Sequence, residues 1–469
     1  MKAVGNKITF ALYFGNRGFF PGEVIASARE EMKKAVSDAG FGYICMDGEK
    51  TRYGAVETIA EGEKYAQFLE ENRGSFDGVI LCLPNFGDEN GASVALKNAN
   101  VPVLVQAYPD KIGEMDFAHR RDAMCGKFAM CNLLRQAGIP YTLTEKFVVE
   151  PLSDSFRNDL VNFAGVCRIV KGMKHFNLGA IGARTTAFKT VRVDEIAFQK
   201  KGINIETIDL SDIFARVAKV PQARIDEKKV QILNITEFSG YPEEKLCTMA
   251  KVQAVFEDIV SEYNLQAVAV RCWNEFETVL GIAPCTSLCL LNELGISAAC
   301  EVDITNAVMM RALSLASDSP CMLLDYNNNY GESDDKAIMF HCGPIPPSML
   351  EGKGKIIEHL MFKKTFGEGT GVGVNKGKIK SGDITFGSIK TENGRICGFV
   401  SQGEFTDDKI EEEFFGSGKV VKKDNINNVS NYMAENGYKH HLAITYGSCA
   451  KAINEAFGKY LDFDIDVLK

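Results

Sequence analysis

The segment "KITFALYFGNRGFFPGEVIASAREEMKKAVSDAGFGYICMD", Lys7 to Asp47, predicts a strand, a helix and a second strand in turn. Pro21 stands near the start of the helix and Gly40 just past its end, the positions that these residues favour. The alternation continues with a helix in "AVETIAEGEKYAQFLEENRG" and strands in "FDGVILCLPNFGDENG" and "VPVLVQAYP". Such alternation predicts a parallel sheet covered by helices on both faces.

A second series of the same kind begins near Val166, with strands predicted in "LGAIGAR", "INIETIDL", "LQAVAVRCW" and "ISAACEVD". After Pro347 the chain becomes rich in Gly, Lys and Thr with short alternating runs, typical of antiparallel strands in a barrel or sandwich. We therefore predict an α/β protein in three parts. An N-terminal α/β domain covers 1–165, a second parallel-sheet α/β domain 166–347, and a β-rich, barrel-like domain 348–469.

The composition of the 469 residues, 45% hydrophobic and 25% charged, is that of a globular protein. A net charge of -9 with both signs spread along the chain argues against nucleic-acid binding, which needs a basic face. The fourteen cysteines form no C-x-x-C pair and are expected to be reduced thiols. There is neither a signal-peptide core nor a stretch of roughly 18 apolar residues. We expect a cytoplasmic protein without a membrane span.

Groups able to bind a metal follow several predicted strands, where parallel α/β sheets gather their binding groups. "ISAACEVD" reaches Glu301, "PCMLLDY" reaches Asp325, and "KAIMFHCG" reaches His341. The strand in "YKHHLAITYG" holds His440 and His441, of which only one is expected to face a given site. Two carboxylates with one or two imidazoles suit Mn²⁺ or a similar octahedral ion with positions left for substrate oxygens. Such carboxylates also cap helices or pair with arginine, and that alternative stays open.

Four further residues, together with His440, are candidates for substrate contacts. Arg17 follows the first strand and Asn85 the third. For Arg17 a structural salt bridge is the alternative. Trp273, the only tryptophan, offers a stacking platform for a sugar or packs in the core. Asn327 begins an amide-rich run that offers hydrogen-bond donors and acceptors to a polar substrate, or forms a turn for local reasons.

Taken together, five segments resemble the L-fucose/L-arabinose isomerase family, nearer its fucose isomerase side. They are "GARTTAFKTVRVDE", "VRCWNEFE", "CEVDITNAVMM", "MLLDYNNNYGESDDKAIMFHCG" and "KHHLAITYG". The order of two α/β parts and a β-rich part is also similar. The N-terminal third matches poorly, and the chain is shorter than fucose isomerases. The resemblance implies an enzyme that interconverts aldoses and ketoses (EC 5.3.1.-).

The resemblance also implies one divalent ion, usually Mn²⁺, with Mg²⁺ or Co²⁺ as alternatives. Fucose isomerases hold it by a glutamate, an aspartate and a C-terminal histidine, which implies Glu301, Asp325 and His441 here, with His440 as the alternative to His441. Arabinose isomerases use two glutamates and two histidines. His341 falls at the first of those histidines, so it is either a ligand or the neighbour of one. Arg17 stands near a substrate-binding arginine of the family.

The implied reaction moves a proton between C1 and C2 of a free sugar through a cis-enediolate, which a metal ion stabilises by chelating O1 and O2. Glu301 and Asp325 are then the pair that transfers the proton. The sugar is L-fucose, L-arabinose or a related hexose or pentose, including deoxy, branched and sulfonated ones. Family members form homo-oligomers whose sites a neighbouring subunit completes. The alternatives are a non-catalytic sugar-binding or regulatory protein on the same scaffold, and a metal-dependent hydrolase or aldolase.

Overall fold

The computed structural model describes residues 7–411 and 416–469, which form two compact units. The N-terminal unit consists of residues 7–171 together with Lys451–Asp462. The larger unit consists of Gly172–Ala450 and Phe463–Lys469. Within these described ranges, no helix is both long enough and apolar enough to cross a bilayer.

The N-terminal unit is built on a five-stranded parallel sheet with the strand order β2-β1-β3-β4-β5. Its strands are β1 (Thr9–Phe14), β2 (Gly42–Cys45), β3 (Gly78–Leu83), β4 (Val103–Ala107) and β5 (Thr142–Leu143). Its helices are α1 (Val24–Asp38), α2 (Ile59–Glu71), α3 (Glu89–Leu96), α4 (Ala123–Gln136) and α5 (Asp154–Met173). Every residue of β3 and β4 is buried, because helices cover both faces of the sheet.

The larger unit begins with a four-stranded parallel sheet in the order β10-β9-β6-β7. The strands of this region are β6 (Phe176–Ile181), β7 (Ile203–Ile208), β8 (Thr236–Glu237), β9 (Ala267–Val270) and β10 (Ser297–Cys300). Its helices are α6 (Glu195–Gln199), α7 (Leu210–Val217), α8 (Gln222–Ile235), α9 (Glu243–Glu262), α10 (Cys285–Glu293) and α11 (Ile304–Ser317). A short π-helical turn covers Phe276–Leu280.

The rest of the larger unit is mainly an antiparallel barrel. The strands are β11 (Met322–Asn329), β12 (Lys336–His341), β13 (Gly354–Glu358), β14 (Val372–Lys376), β15 (Gly382–Glu392), β16 (Arg395–Phe405), β17 (Ser417–Lys422), β18 (His441–Tyr446) and β19 (Asp464–Leu468). They pair in the order β15-β18-β11-β12-β17-β16, and the pairing of β15 with β16 closes the ring. Strand β19 adds to β16 in parallel, while β8, β13 and β14 form a separate small sheet. The helices are α12 (Leu360–Phe366) and α13 (Ile426–Glu435). Helix α14 (Ala450–Glu455) and a π-helical segment at Ala456–Leu461 follow β18, and from Lys451 onward they belong to the N-terminal unit. The predicted fold class, two parallel sheets and a β-rich, barrel-like part, is confirmed.

Helix α11 links the parallel sheet of the larger unit to the barrel. It packs against β9 and β10 on one side and against β15 and β18 on the other. Nearly all of its residues are buried, as expected of a helix that is apolar all round. The turn between β10 and α11 carries Glu301, whose carboxylate lies 2.9 Å from the ring of His441 at the start of β18.

The strands that carry Asp325 and His341 differ from the prediction. They are β11 and β12, an antiparallel hairpin of the barrel, and not members of the parallel sheet. Asp325 lies in mid-strand, and Asn327 continues β11 and does not form a turn. A short apolar run does not reveal the direction of its partner strand, which is why the sequence pattern misplaced both.

Candidate active site

Glu301 is placed by a tight turn between β10 and α11. Glu301 and Val302 both adopt the left-handed conformation, with φ of 61° and 59°. Asp303 follows as the N-cap of α11, where its side chain accepts the backbone N–H of Asn306 at 3.0 Å. The Glu301 side chain is 18% exposed, and the indole N–H of Trp273 donates to its Oε1 at 3.1 Å. The turn thus presents the Glu301 carboxylate to the cavity described below, while Asp303 is fully buried.

Asp325 and His441 are neighbours across the barrel sheet. Strands β11 and β18 pair in antiparallel fashion, and the register places Asp325 directly opposite His441. Residues that face each other across such a pair have Cβ atoms about 5 Å apart, so their side chains meet. This pairing brings together a carboxylate and an imidazole that are far apart in the sequence.

His441 lies at the centre of the cluster. Its Nε2 atom is 2.9 Å from Glu301 Oε2 and 3.5 Å from Asp325 Oδ1. Neither contact has the geometry of a hydrogen bond, so His441 Nε2 and Asp325 Oδ1 are buried polar atoms without a partner in the described part of the chain. Because buried polar atoms are normally hydrogen-bonded, two such atoms directed at one point fit a bound cation.

The charges in this cluster are strongly coupled. Burial alone would lower the pKa of His441, but the Asp303 and Glu301 carboxylates outweigh it and raise that pKa to about 10. Burial raises the pKa of Asp325. Burial acts in the same direction on Glu301, but there His441 outweighs it and the pKa is lowered. The carboxylates therefore supply an excess of negative charge that a proton on His441 or a metal ion can balance.

His440 also reaches the cluster, although its side chain is 45% exposed. Its Nε2 atom lies 3.9 Å from Asp325 Oδ1, and the ligand atoms of Asp325, His440 and His441 all lie within 4.8 Å of one another. The expectation that only one of the two histidines faces the site is therefore wrong. His440 precedes the first residue of β18, so the alternation of a pleated strand does not apply to it.

His341 is buried at the end of β12, with its ring centre 6.2 Å from that of His441. Its Nδ1 atom accepts the backbone N–H of Gly343 at 2.9 Å. A neutral imidazole has a single N–H, so the proton of His341 is then on Nε2. This geometry makes Nε2 a hydrogen-bond donor, which cannot bind a metal while it carries a proton.

A cavity of about 520 Å³ opens beside the cluster, and its lining includes five of the predicted site residues: Trp273, Glu301, Asp325, Asn327 and His341. Asn327 reaches it from an exposed position on β11. A sugar with its hydroxyls needs a few placed polar groups within an otherwise apolar cleft, and the remaining walls are mainly apolar and sulfur-bearing. Those walls include Cys272, Cys285, Cys342, Met361, Phe362 and Phe366.

The other two predicted contacts lie in the N-terminal unit. Arg17 forms a salt bridge with Glu89 at 2.6 Å, which is the alternative that the sequence left open. Asn85 is fully buried, accepts the backbone N–H of Arg17 at 3.3 Å and donates to Asn16 Oδ1 at 2.7 Å. Both residues follow their strands at the edge where such sheets bind ligands. Their contact with a substrate stays a prediction.

Asp303 is a residue to which the sequence analysis gave no role. Its Oδ2 atom accepts a hydrogen bond from His441 Nδ1 at 2.9 Å. Since a carboxylate only accepts, the Nδ1 atom of His441 carries a proton. The available signal was an aspartate three residues before Asn306 at the start of an apolar helix, which indicates an N-cap but not a partner at residue 441.

Two family models match the two ends of the chain. Residues 11–174 match the family "Fucose/sulfoquinovose isomerase, N-terminal domain", and residues 339–469 match "L-fucose isomerase, C-terminal domain". The chain belongs to the fucose isomerase-like family. It is an aldose–ketose isomerase. The match of residues 11–174 overturns the expectation that the N-terminal third departs from the family.

Curated members of this family are similar over most of their length. The sulfoquinovose isomerase of Alkalicoccus urumqiensis is 25% identical over 421 residues, covering 85% of this chain and 88% of that protein. The sulfoquinovose isomerase of Priestia megaterium is 21% identical, covering 88% of this chain and 90% of that protein. Among solved structures, a glucose-galactose binding protein from Geobacillus stearothermophilus covers 67% of this chain and 93% of its own, at 15% identity. Its TM-score of 0.15 is too low to indicate a shared fold.

Proposed function

We propose that this fucose isomerase-like enzyme depends on a divalent ion held by Glu301, Asp325 and His441. One observation carries the proposal: the unpartnered atoms Asp325 Oδ1 and His441 Nε2 lie 3.5 Å apart, with a Glu301 carboxylate oxygen 2.9 Å from the same nitrogen. Carboxylates with one imidazole favour Mn²⁺, and Mg²⁺ and Co²⁺ are the alternatives to test. His440 is the fourth group within reach.

Each side chain around this centre has a separate role in the proposed reaction. A divalent ion, when bound, supplies charge stabilisation for a deprotonated sugar. Glu301 and Asp325 approach from different elements, the β10–α11 turn and strand β11, so they can hold or release a proton at two sides of a bound sugar. Trp273 fixes the Glu301 carboxylate through its indole N–H. We assign His341 a donor role toward a sugar oxygen, because its Nε2 carries the proton.

We propose a hexose altered at C6 as the substrate, and sulfoquinovose, which carries a sulfonate there, as the first to test. The curated relatives are named for that sugar. Phe188 contacts Trp273, His440 and His441, so its loop lies over the site, and the same loop carries the cations Arg184 and Lys189. Guanidinium and ammonium groups are the natural partners of a sulfonate.

A 6-deoxy sugar such as L-fucose is the second candidate. The cavity wall formed by Met361, Phe362 and Phe366 is apolar and can accept a methyl group. Within the described residues, no lysine or arginine belongs to the cavity lining itself. Leaving water costs a methyl group little free energy. A sulfonate placed against that wall would lose its hydration and gain no charged or hydrogen-bonding partner in return.

A sugar panel tests both the reaction and the substrate. The metal-stripped enzyme is given Mn²⁺, Mg²⁺ or Co²⁺ in turn, and ketose formation is measured from sulfoquinovose, L-fucose and L-arabinose. Deuterium incorporation at C2 without bond cleavage separates isomerisation from aldol or hydrolytic chemistry.

We expect Glu301→Gln and Asp325→Asn to lower kcat by about 10²- to 10⁴-fold. Glu332→Gln, at an exposed carboxylate of the β11–β12 turn, is the matched control and should not change kcat.

Full turnover without any divalent ion would refute the metal dependence, and no reaction with any aldose or ketose would refute the proposed reaction. Metal retained after dialysis, together with ketose formation, separates the enzyme from a non-catalytic sugar-binding protein. Substrate contacts from Arg17 and Asn85, a homo-oligomer with sites near subunit interfaces, and a cytoplasmic location remain part of the proposal.

A further inference from the structure

The imidazole of His441 is held from behind by Asp303. His441 and Asp303 are each 0% exposed, and Nδ1 donates to Asp303 Oδ2 at 2.9 Å. The opposite ring nitrogen, Nε2, faces Glu301 and Asp325. With its proton fixed on Nδ1, a neutral His441 has its lone pair on Nε2, which is the atom that faces the proposed ion.

Asp303 is itself held in place by the start of helix α11. Its Oδ1 atom accepts the hydroxyl of Thr305 at 2.9 Å and the backbone N–H of Asn306 at 3.0 Å. Its Oδ2 atom accepts the side-chain amide of Asn306 at 2.9 Å. Asn306 also donates to the backbone carbonyl of His441 at 3.0 Å. The start of α11 is therefore hydrogen-bonded to both the ring and the backbone of His441. This carboxylate has no freedom to rotate away from the ring.

Lys439 supplies the balancing charge. Its ammonium lies 3.3 Å from Asp303 Oδ1, its side chain is 3% exposed, and it donates to Thr305 Oγ1 and to the carbonyl of Ile389. Burying a carboxylate without a partner costs free energy, and the contacts with Lys439 and His441 together offset that cost for Asp303. Lys439 lies two residues before His441, the first residue of β18, so the ring and its countercharge come from the same short stretch of sequence.

We infer that Asp303, neutralised by Lys439, is a positioning residue that keeps the proton of His441 on Nδ1 and so leaves Nε2 free to bind the divalent ion. The inference rests on the metal site of the proposed function. Partners of this kind orient metal-binding histidines and raise their basicity.

The decisive variant is Asp303→Asn, because an asparagine can turn its NH₂ toward Nδ1 and favour the ring with its proton on Nε2. We expect the folded variant to bind Mn²⁺ about 10- to 100-fold more weakly than the wild type in calorimetric titration. The melting temperature of the metal-free protein shows that the variant is folded. The matched control is Asp77→Asn in the N-terminal unit. Asp77 is also buried and paired with a lysine, Lys171 at 2.7 Å, and its variant should bind Mn²⁺ as the wild type does.

A folded Asp303→Asn variant whose Mn²⁺ affinity stays within about twofold of the wild type would overturn the inference. If that variant fails to fold, proton NMR of the metal-free wild type decides. A downfield, exchange-protected N–H resonance assigned to Nδ1 of His441, and absent in His441→Asn, supports the inference; an Nδ1 without a proton overturns it. A wild type that binds no divalent ion refutes the proposed function instead, and the NMR measurement still tests the Asp303–His441 bond by itself.

Discussion

The turn at Glu301 and Val302 concentrates backbone strain at the candidate active site. Left-handed φ values are uncommon outside glycine and asparagine, and for a β-branched residue such as Val302 they are outliers. Strain of this kind persists only where the surrounding structure enforces it, and it clusters at functional sites. Here, the two left-handed residues allow Glu301 to face the cavity while Asp303, two positions later, caps helix α11. No residue preference in the sequence indicates this turn.

Glu277 provides a test of how burial controls ionisation near the site. Its side chain is 1% exposed, neither carboxylate oxygen has a hydrogen-bond partner elsewhere in the described chain, and burial raises its pKa to about 8. The folded protein keeps the proton up to about pH 8, whereas an unfolded glutamate loses it near 4.5. Stability should therefore fall as pH rises between these values, by up to about 1.4 kcal/mol per pH unit.

The measurement is the melting temperature from pH 5 to pH 8 for the wild type and Glu277→Gln. We expect the variant to lose the part of the pH dependence that comes from this carboxyl group. Glu244→Gln, at an exposed position in the first turn of α9, should retain the wild-type dependence. Parallel pH profiles for wild type and Glu277→Gln would show that Glu277 is ionised in the folded protein.

At the scale of elements, helix α11 packs closely against the barrel. This contact brings the Glu301 turn, which precedes α11, next to Asp325 and His441 of the barrel strands. A Cβ atom added to Gly387 in β15 would lie 2.3 Å from Met309 Cε of α11 and 2.4 Å from the carbonyl oxygen of Phe399 in β16. The first neighbour is the flexible end of a side chain, but the second is backbone that cannot move without disturbing the β15–β16 pairing. Gly387 is therefore required by the packing of the barrel and its helix.

We expect Gly387→Ala to lower the free energy of unfolding by about 1 to 3 kcal/mol, the usual cost of overpacking. Chemical denaturation measures this change. Gly418→Ala in β17 is the matched control, since its added Cβ would find its nearest atom at 3.4 Å, an ordinary contact. Equal stabilities of the two variants would show that the barrel adjusts at Gly387. If α11 shifts instead, Mn²⁺ affinity should fall as well, because the Glu301 turn leads into that helix.

The sequence predicted individual elements better than the pairing of strands. Alternation and turn residues were enough for both parallel sheets and for the change to antiparallel strands, and the ends of strands directed attention to Glu301. Asp325 and His341 were predicted as site residues on the assumption that their strands belong to the parallel sheet. That assumption was wrong, because a short apolar run has the same pattern in a parallel and in an antiparallel sheet. The contact of Asp303 with His441 depends on pairings over more than a hundred residues, which local patterns do not encode.

At the scale of the whole molecule, the chain returns to its N-terminal unit near its end. Residues Lys451–Asp462 belong to that unit, although β18 before them and β19 after them belong to the larger one. Lys451 forms a salt bridge with Glu145 at 2.7 Å, and the hydroxyl of Tyr460 reaches Thr142 at 3.1 Å and the carbonyl of Val103 at 3.3 Å. The last residues of the N-terminal unit therefore follow β18 in the sequence. The unit is complete only after the barrel strands up to β18 have been synthesised.

Phe457 tests this arrangement, because it is fully buried within the returning segment. We expect Phe457→Ala to destabilise the N-terminal unit by about 3 to 5 kcal/mol, the cost of removing a buried phenyl ring. In hydrogen–deuterium exchange, peptides from β4 and β5 should exchange faster, whereas those from β11 and β18 should keep the wild-type rate. Lys459→Ala, two residues away and 41% exposed, is the control and should change neither. Faster exchange in β11 and β18 to the same extent would mean that the two units unfold as one, and the effect could then no longer be assigned to the N-terminal unit.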